Sequence, residues 1–114
     1  MPFINSKISV KLTEEQEKKI KNRLGKAIAL IPGKTESWLM VGFEDDYKLY
    51  FKGEACEKIV FVEVSIFGSA SKTALNSLTV EICDIYNEEL GVPKDKIYVK
   101  YSETPNWGWN GSNF

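Results

Sequence analysis

The chain opens MPFINSKIS, and the proline directly after methionine is its first chemically distinctive residue. If Met1 is removed, Pro2 presents a secondary amine. Such an amine abstracts a proton only when neutral, and ordinary α-amino groups titrate near 8. Burial in an apolar pocket, or a positive charge nearby, lowers that value because each disfavours the ammonium form. Histidine is absent, which excludes His-based triads, imidazole proton shuttles and the usual zinc sites. Acid–base chemistry must therefore fall to carboxylates, lysines, tyrosines, cysteines or the N-terminus. Cys56 and Cys83 are not a C-x-x-C pair, since Ile59 stands where the second would be; they read as reduced thiols. Met-Pro on its own is equally the start of a protein in which Pro2 does nothing. The elements around it must decide.

A length of 114 residues gives one domain, residues 1–114. With 43% apolar and 27% charged residues the composition is that of a globular protein. The net charge of -1 offers no electrostatic case for nucleic acid or an anionic membrane as partner. There is no apolar run of spanning length and no signal-peptide core near the start, so the expected location is the cytosol.

Two similar halves follow one another. Ile4, Ile8 and Val10 suit a strand over 4–10. Thr13 followed by Gln16 is a capping-box signature, and Ile20, Leu24, Ala27, Ile28 and Ile31 fall on one helical face, stopped by Pro32 and Gly33. SWLMVGFE is a second strand. KIVFVEVSIFG is a third, with Val60, Val62, Val64 and Ile66 on one face and Phe61 and Phe67 on the other. Leu75, Leu78, Ile82, Ile85 and Tyr86 mark a second amphipathic helix ended by Gly91, and KIYVKYSE is a fourth strand. The linking segment DDYKLYFKGEACEK has room for a short edge strand at 48–51. The prediction is an α/β fold: two strand–helix–strand repeats, parallel within each repeat, forming a four-stranded mixed sheet with two helices on one face. The other face is expected to be apolar as well, and in so short a chain it would be covered by other subunits.

The closing TPNWGWNGSNF is turn-rich and aromatic, suited to core packing, an interface or a pocket wall. MPFI, the PGK after the first helix, SIFG at the end of the third strand and IYVKY…WGWNGSNF come in one order along the full chain. In these features the sequence resembles the macrophage migration inhibitory factor family of the tautomerase superfamily. The resemblance implies a homotrimer with its sheets around a central axis, helices outside, and three active sites at subunit interfaces. It implies cofactor-free keto–enol tautomerisation of small aromatic keto acids such as phenylpyruvate, and in some members of a D-dopachrome analogue. Animal members also act as extracellular cytokines, exported without a leader. The alternative is thus a signalling or interaction protein whose trimer surface meets a receptor.

Carried over residue by residue, the resemblance makes Pro2 the catalytic base and Lys34 the anchor for a substrate carboxylate, its charge also depressing the proline pKa. Ser65 and Ile66 match the pocket edge. Tyr98 matches a tyrosine supplied by the neighbouring subunit. Lys100 departs from an asparagine of the animal cytokine and would add a second positive charge for an acidic substrate. Trp38 takes the place of a tyrosine at the pocket mouth, Trp107 that of a smaller apolar residue, and Trp109 and Phe114 match the aromatic wall. Apolar walls exclude water and favour a neutral amine. The family's C-x-x-C is missing, so its thiol–disulfide activity is not carried over. Cys83 is expected in the core. Asn110-Gly111-Ser112 fits a glycosylation acceptor, here read as coincidence. Dehalogenation or decarboxylation ranks third, because the single arginine, Arg23, lies on the first helix.

Overall fold

Burial with a period of two in the strands, and of three to four in the helices, divides the chain as its apolar pattern requires. A computed structural model describes residues 1–114. In chain order it has β1 (Pro2–Ile8), α1 (Glu14–Ala27), β2 (Met40–Glu44), β3 (Tyr50–Phe51), β4 (Glu54–Ala55), β5 (Val60–Phe67), α2 (Lys72–Leu90), β6 (Ile97–Thr104), β7 (Gly108–Trp109) and β8 (Ser112–Asn113).

Four strands form one mixed sheet in the order β2-β1-β5-β6. β1 pairs with β2 in parallel, as does β5 with β6, and the two repeats join through the antiparallel β1–β5 pair. Both helices cover the same face. Ile4 and Ile8 of β1 and Val62, Val64 and Ile66 of β5 are buried there against Ile20 and Leu24 of α1 and Leu78, Ile82 and Ile85 of α2. Each such side chain contributes roughly 1.5–3 kcal/mol by leaving water.

The helix ends follow their sequence signals. Gln16 N–H donates to Thr13 Oγ1 at 3.1 Å, and Thr13 N–H returns a bond to Gln16 Oε1 at 3.1 Å. α1 closes earlier than Pro32 and Gly33 suggest: Ile28–Leu30 tighten into a 3-10 turn, yet Ile28 and Ile31 stay buried. α2 starts on Ser71, whose Oγ accepts from Ala74 N–H at 3.1 Å, and stops at Gly91, left-handed at φ 70°. Arg23 ties the helices together, its guanidinium meeting Glu88 at 2.9 Å, Glu89 at 3.0 Å and Glu81 at 3.5 Å. It takes no part in the corner described below. Cys56 and Cys83 are free thiols. Cys83 is half-buried against the core, and burial pushes its thiol pKa up.

Four expectations need correcting. The uncovered sheet face is not apolar: between Phe3 and Phe61 it carries Asn5, Lys7, Glu44, Glu63, Ser65 and Lys100. Lys7 Nζ pairs with Glu63 at 3.0 Å, and Asn5 Nδ2 donates to Glu44 at 2.8 Å. The case for covering subunits cannot rest on apolarity there. The segment after β2 does not add an edge strand to the sheet; β3 folds back on β4 as a separate hairpin. The first strand runs from Pro2 to Ile8 and leaves Val10 outside. Trp38 lies in a 3-10 turn, Glu36–Trp38, before β2 begins.

Candidate active site

The start of β1 and the end of β5 meet at one corner of the sheet. Pro2 stands opposite Ile66 and is buried; Phe67 N–H donates to the Met1 carbonyl at 3.1 Å, so the pairing runs to the first residue. With Met1 in place, the Pro2 nitrogen is an amide and holds no basic lone pair. A tight turn after α1, in which Lys34 N–H donates to the Ile31 carbonyl at 3.1 Å, delivers Lys34 to the same corner. Its Nζ donates to the Phe67 carbonyl at 2.7 Å. An ammonium has three donors, so this bond fixes Lys34 and leaves donors for an anion. The α-amine of Met1 lies beside it and is held below its ordinary value of 8.0, first by burial and then by the Lys34 charge.

Two aromatic pairs and a hairpin form a wall that runs from Trp38 to Phe67. Trp38, four residues after Lys34, meets Trp109 in a T-shaped pair with centroids 5.1 Å apart. The hairpin β7–β8 carries the chain from Trp109 to Phe114, whose N–H donates to the Trp107 carbonyl at 3.0 Å. The Phe114 ring lies 5.5 Å from that of Phe67. The hairpin turn is Asn110-Gly111, with φ 51° and 86°. Both residues are left-handed, as a two-residue turn between twisted strands demands. The Asn-Gly-Ser noted as a glycosylation signal is therefore a turn, and Asn-Gly was the available sign of the hairpin.

Of the predicted site residues, Pro2 and Lys34 meet at the corner, while Trp38, Trp109 and Phe114 belong to the aromatic wall, with Trp107 bonded to Phe114 through its carbonyl. The Ile66 side chain is fully buried in the core, while Ser65 is half-buried on the uncovered face. Tyr98 and Lys100 lie elsewhere in the same chain. Tyr98 is opposite Phe61, and Lys100 opposite Glu63. Those registers put them about 16 Å and about 10 Å along the sheet from Pro2. Tyr98 is 62% exposed, its ring 5.5 Å from Phe51. A cleft of about 600 Å³ between α1 and β2, lined by Glu17, Lys18, Lys21, Glu36, Leu39 and Phe43 among others, includes none of the predicted site residues. Sequence reasoning did not assign Phe67 to this corner, although it sits inside the SIFG motif.

The sequence matches the family model "Macrophage migration inhibitory factor (MIF)" over residues 1–114. The chain belongs to the macrophage migration inhibitory factor family. A curated relative, the macrophage migration inhibitory factor of Xenopus laevis, is 27% identical over 93 residues, 80% of each chain. Among solved structures, Leishmania major MIF2 is 30% identical with a TM-score of 0.92, over 100% of this chain and 97% of that one. The homologue from Prochlorococcus marinus is 28% identical with a TM-score of 0.87, over 98% of each chain. The sheet and helices of this family member are thus those of its relatives. Membership supports a tautomerase or migration-inhibitory-factor-like activity. No helix is long and apolar enough to cross a membrane.

Proposed function

We propose that the processed chain, with Pro2 as its N-terminus, is a cofactor-free keto–enol tautomerase of phenylpyruvate-like aromatic 2-keto acids. One observation carries this reading: the N-terminal amine shares its corner with Lys34 and is held below its ordinary pKa by burial and by that charge. Removing Met1 transfers the amine to Pro2, one residue further into the sheet and buried. A neutral amine there can take the enol O–H proton, and the resulting prolinium can return a proton to C3 as the carbonyl forms. The net change is an isomerisation, with no electron acceptor and no added atom. Lys34 holds the carboxylate with donors left over from its bond to Phe67. The aromatic wall receives the ring and limits water near the amine.

In this reading the chain works as a homotrimer. Tyr98 and Lys100 are too far along their own sheet to reach a substrate at Pro2, and Tyr98 is largely exposed. A neighbouring subunit would supply the Tyr98 hydroxyl near the enol oxygen, and Lys100 as a further charge for the acid.

The test is ketonisation of phenylpyruvate enol by purified protein, with the N-terminal mass checked in the same preparation and Pro2→Gly as control. Turnover by the processed chain that falls at least a hundredfold in Pro2→Gly supports the reading, the scale of a lost general base. Correctly processed protein without turnover refutes it.

A further inference from the structure

Phe67 is fixed at three points. Its N–H donates to the Met1 carbonyl at 3.1 Å, its carbonyl accepts from Lys34 Nζ at 2.7 Å, and its ring meets that of Phe114 at 5.5 Å with a tilt of 38°. The loop that follows is anchored too. Gly68 N–H donates to the Thr104 carbonyl at 2.8 Å, and Ala70 N–H to the Glu103 carboxylate at 2.7 Å. The ring therefore projects from a backbone whose position both strands determine. Phe67 is half-buried and Phe114 is 58% exposed, so the pair keeps ring surface free.

A carboxylate held by Lys34 touches the same ammonium as the Phe67 carbonyl. Whatever side chain the acid carries must then extend from a point within a few ångströms of residue 67. Tilted aromatic rings leave edge and face available to a third ring, a gain that an alkyl chain cannot match. We propose that Phe67, with Phe114 beside it, is a specificity-determining residue that selects an aryl over an alkyl side chain on the bound acid. This rests on the tautomerase reading for the presence of an acid at Lys34. The contact between Phe67 and Lys34 is made by the backbone. Changing the ring therefore leaves the anchor for the carboxylate in place.

The experiment titrates 3-phenylpropanoate and hexanoate into processed protein, following the fluorescence of the tryptophans, Trp38 and Trp109 included. The variants are Phe67→Leu and Phe67→Tyr, each checked for folding by its thermal transition. The wild type is expected to bind the aryl acid more tightly. That preference should fall roughly fivefold in Phe67→Leu, the scale of one aromatic pair, and return in Phe67→Tyr. An unchanged preference in Phe67→Leu, or equal weakening of both acids, overturns the inference. Failure of Phe67→Tyr to restore the preference also overturns it. Phenylpyruvate turnover in the same samples separates the two levels. Pro2-dependent turnover with a preference indifferent to Phe67 sinks only this inference; a wild type that neither binds nor turns over sinks the tautomerase reading with it.

Discussion

The ammonium of Lys34 rests 2.7 Å from the Phe67 carbonyl oxygen, at the corner where β1 begins and β5 ends. That single bond joins the turn after α1 to the sheet and brings a fixed positive charge beside the N-terminal amine. Like charges at close range each disfavour the other's ionised form.

The first prediction follows from that charge. In the chain that retains Met1, replacing Lys34 by Ala should raise the pKa of the α-amine toward 8.0 without reaching it, because burial is the larger cause of the shift. The pH dependence of α-amine acylation, followed by mass, measures this directly. The stability consequence has a definite sign. A basic group with a depressed folded pKa binds fewer protons folded than unfolded. Stability therefore rises with pH from the folded pKa up to about 8, and is lost as pH falls through that window. Lys34→Ala should flatten the rise. An acylation profile indistinguishable from wild type would mean that the Lys34 charge does not act on the amine.

Tyr86 carries a second prediction, about the core. Its hydroxyl donates to Ser6 Oγ at 2.6 Å, and both residues are fully buried. Burial pushes the Tyr86 pKa up, so the phenol stays a neutral donor at physiological pH. Tyr86→Phe keeps the ring but leaves the Ser6 oxygen without this donor. It should cost about 1–2 kcal/mol in urea unfolding, with the m-value unchanged. A variant as stable as wild type would show that Ser6 finds another partner.

A third prediction concerns the aromatic wall. Gly111 sits at φ 86° in the hairpin turn, a conformation that costs a side-chain-bearing residue roughly 1–2 kcal/mol. The hairpin around it is exposed, so Gly111→Val should lower global stability little. It should instead displace Trp109 from Trp38 and reduce the near-ultraviolet circular dichroism of that pair. Full retention of the signal would show that the wall holds its place without this turn.

The sequence exposed the doubled strand–helix–strand plan because its signals are local. Thr13 and Gln16 are three residues apart, and the buried alternation from Val60 to Ile66 lies within one strand. The uncovered face was misjudged for the opposite reason. Phe61 and Phe67 stand out in the third strand, but Glu63 lies between them and its partner Lys7 is 56 residues away. Only the register of β1 against β5 makes that pair visible. The same holds at the candidate site. Pro2 and Lys34 were legible through motif resemblance, whereas the bond that places Phe67 beside Lys34 is made by a main-chain carbonyl, which no residue type announces.

Tyr98 supplies the last prediction, because its place in the chain separates a one-subunit site from a shared one. It lies about 16 Å along the sheet from Pro2, a distance no side chain of one protomer spans. If the proposed trimer is correct, Tyr98→Ala should raise the KM for phenylpyruvate, and Pro2→Gly should abolish turnover. Refolding the two variants together then creates some interfaces that pair an intact Pro2 with an intact Tyr98. In random 1:1 mixing about a quarter of the interfaces have that composition, and at substrate concentrations well below the KM of Tyr98→Ala a corresponding share of wild-type activity should return. A mixture no more active than the sum of its parts would place Tyr98 outside the site.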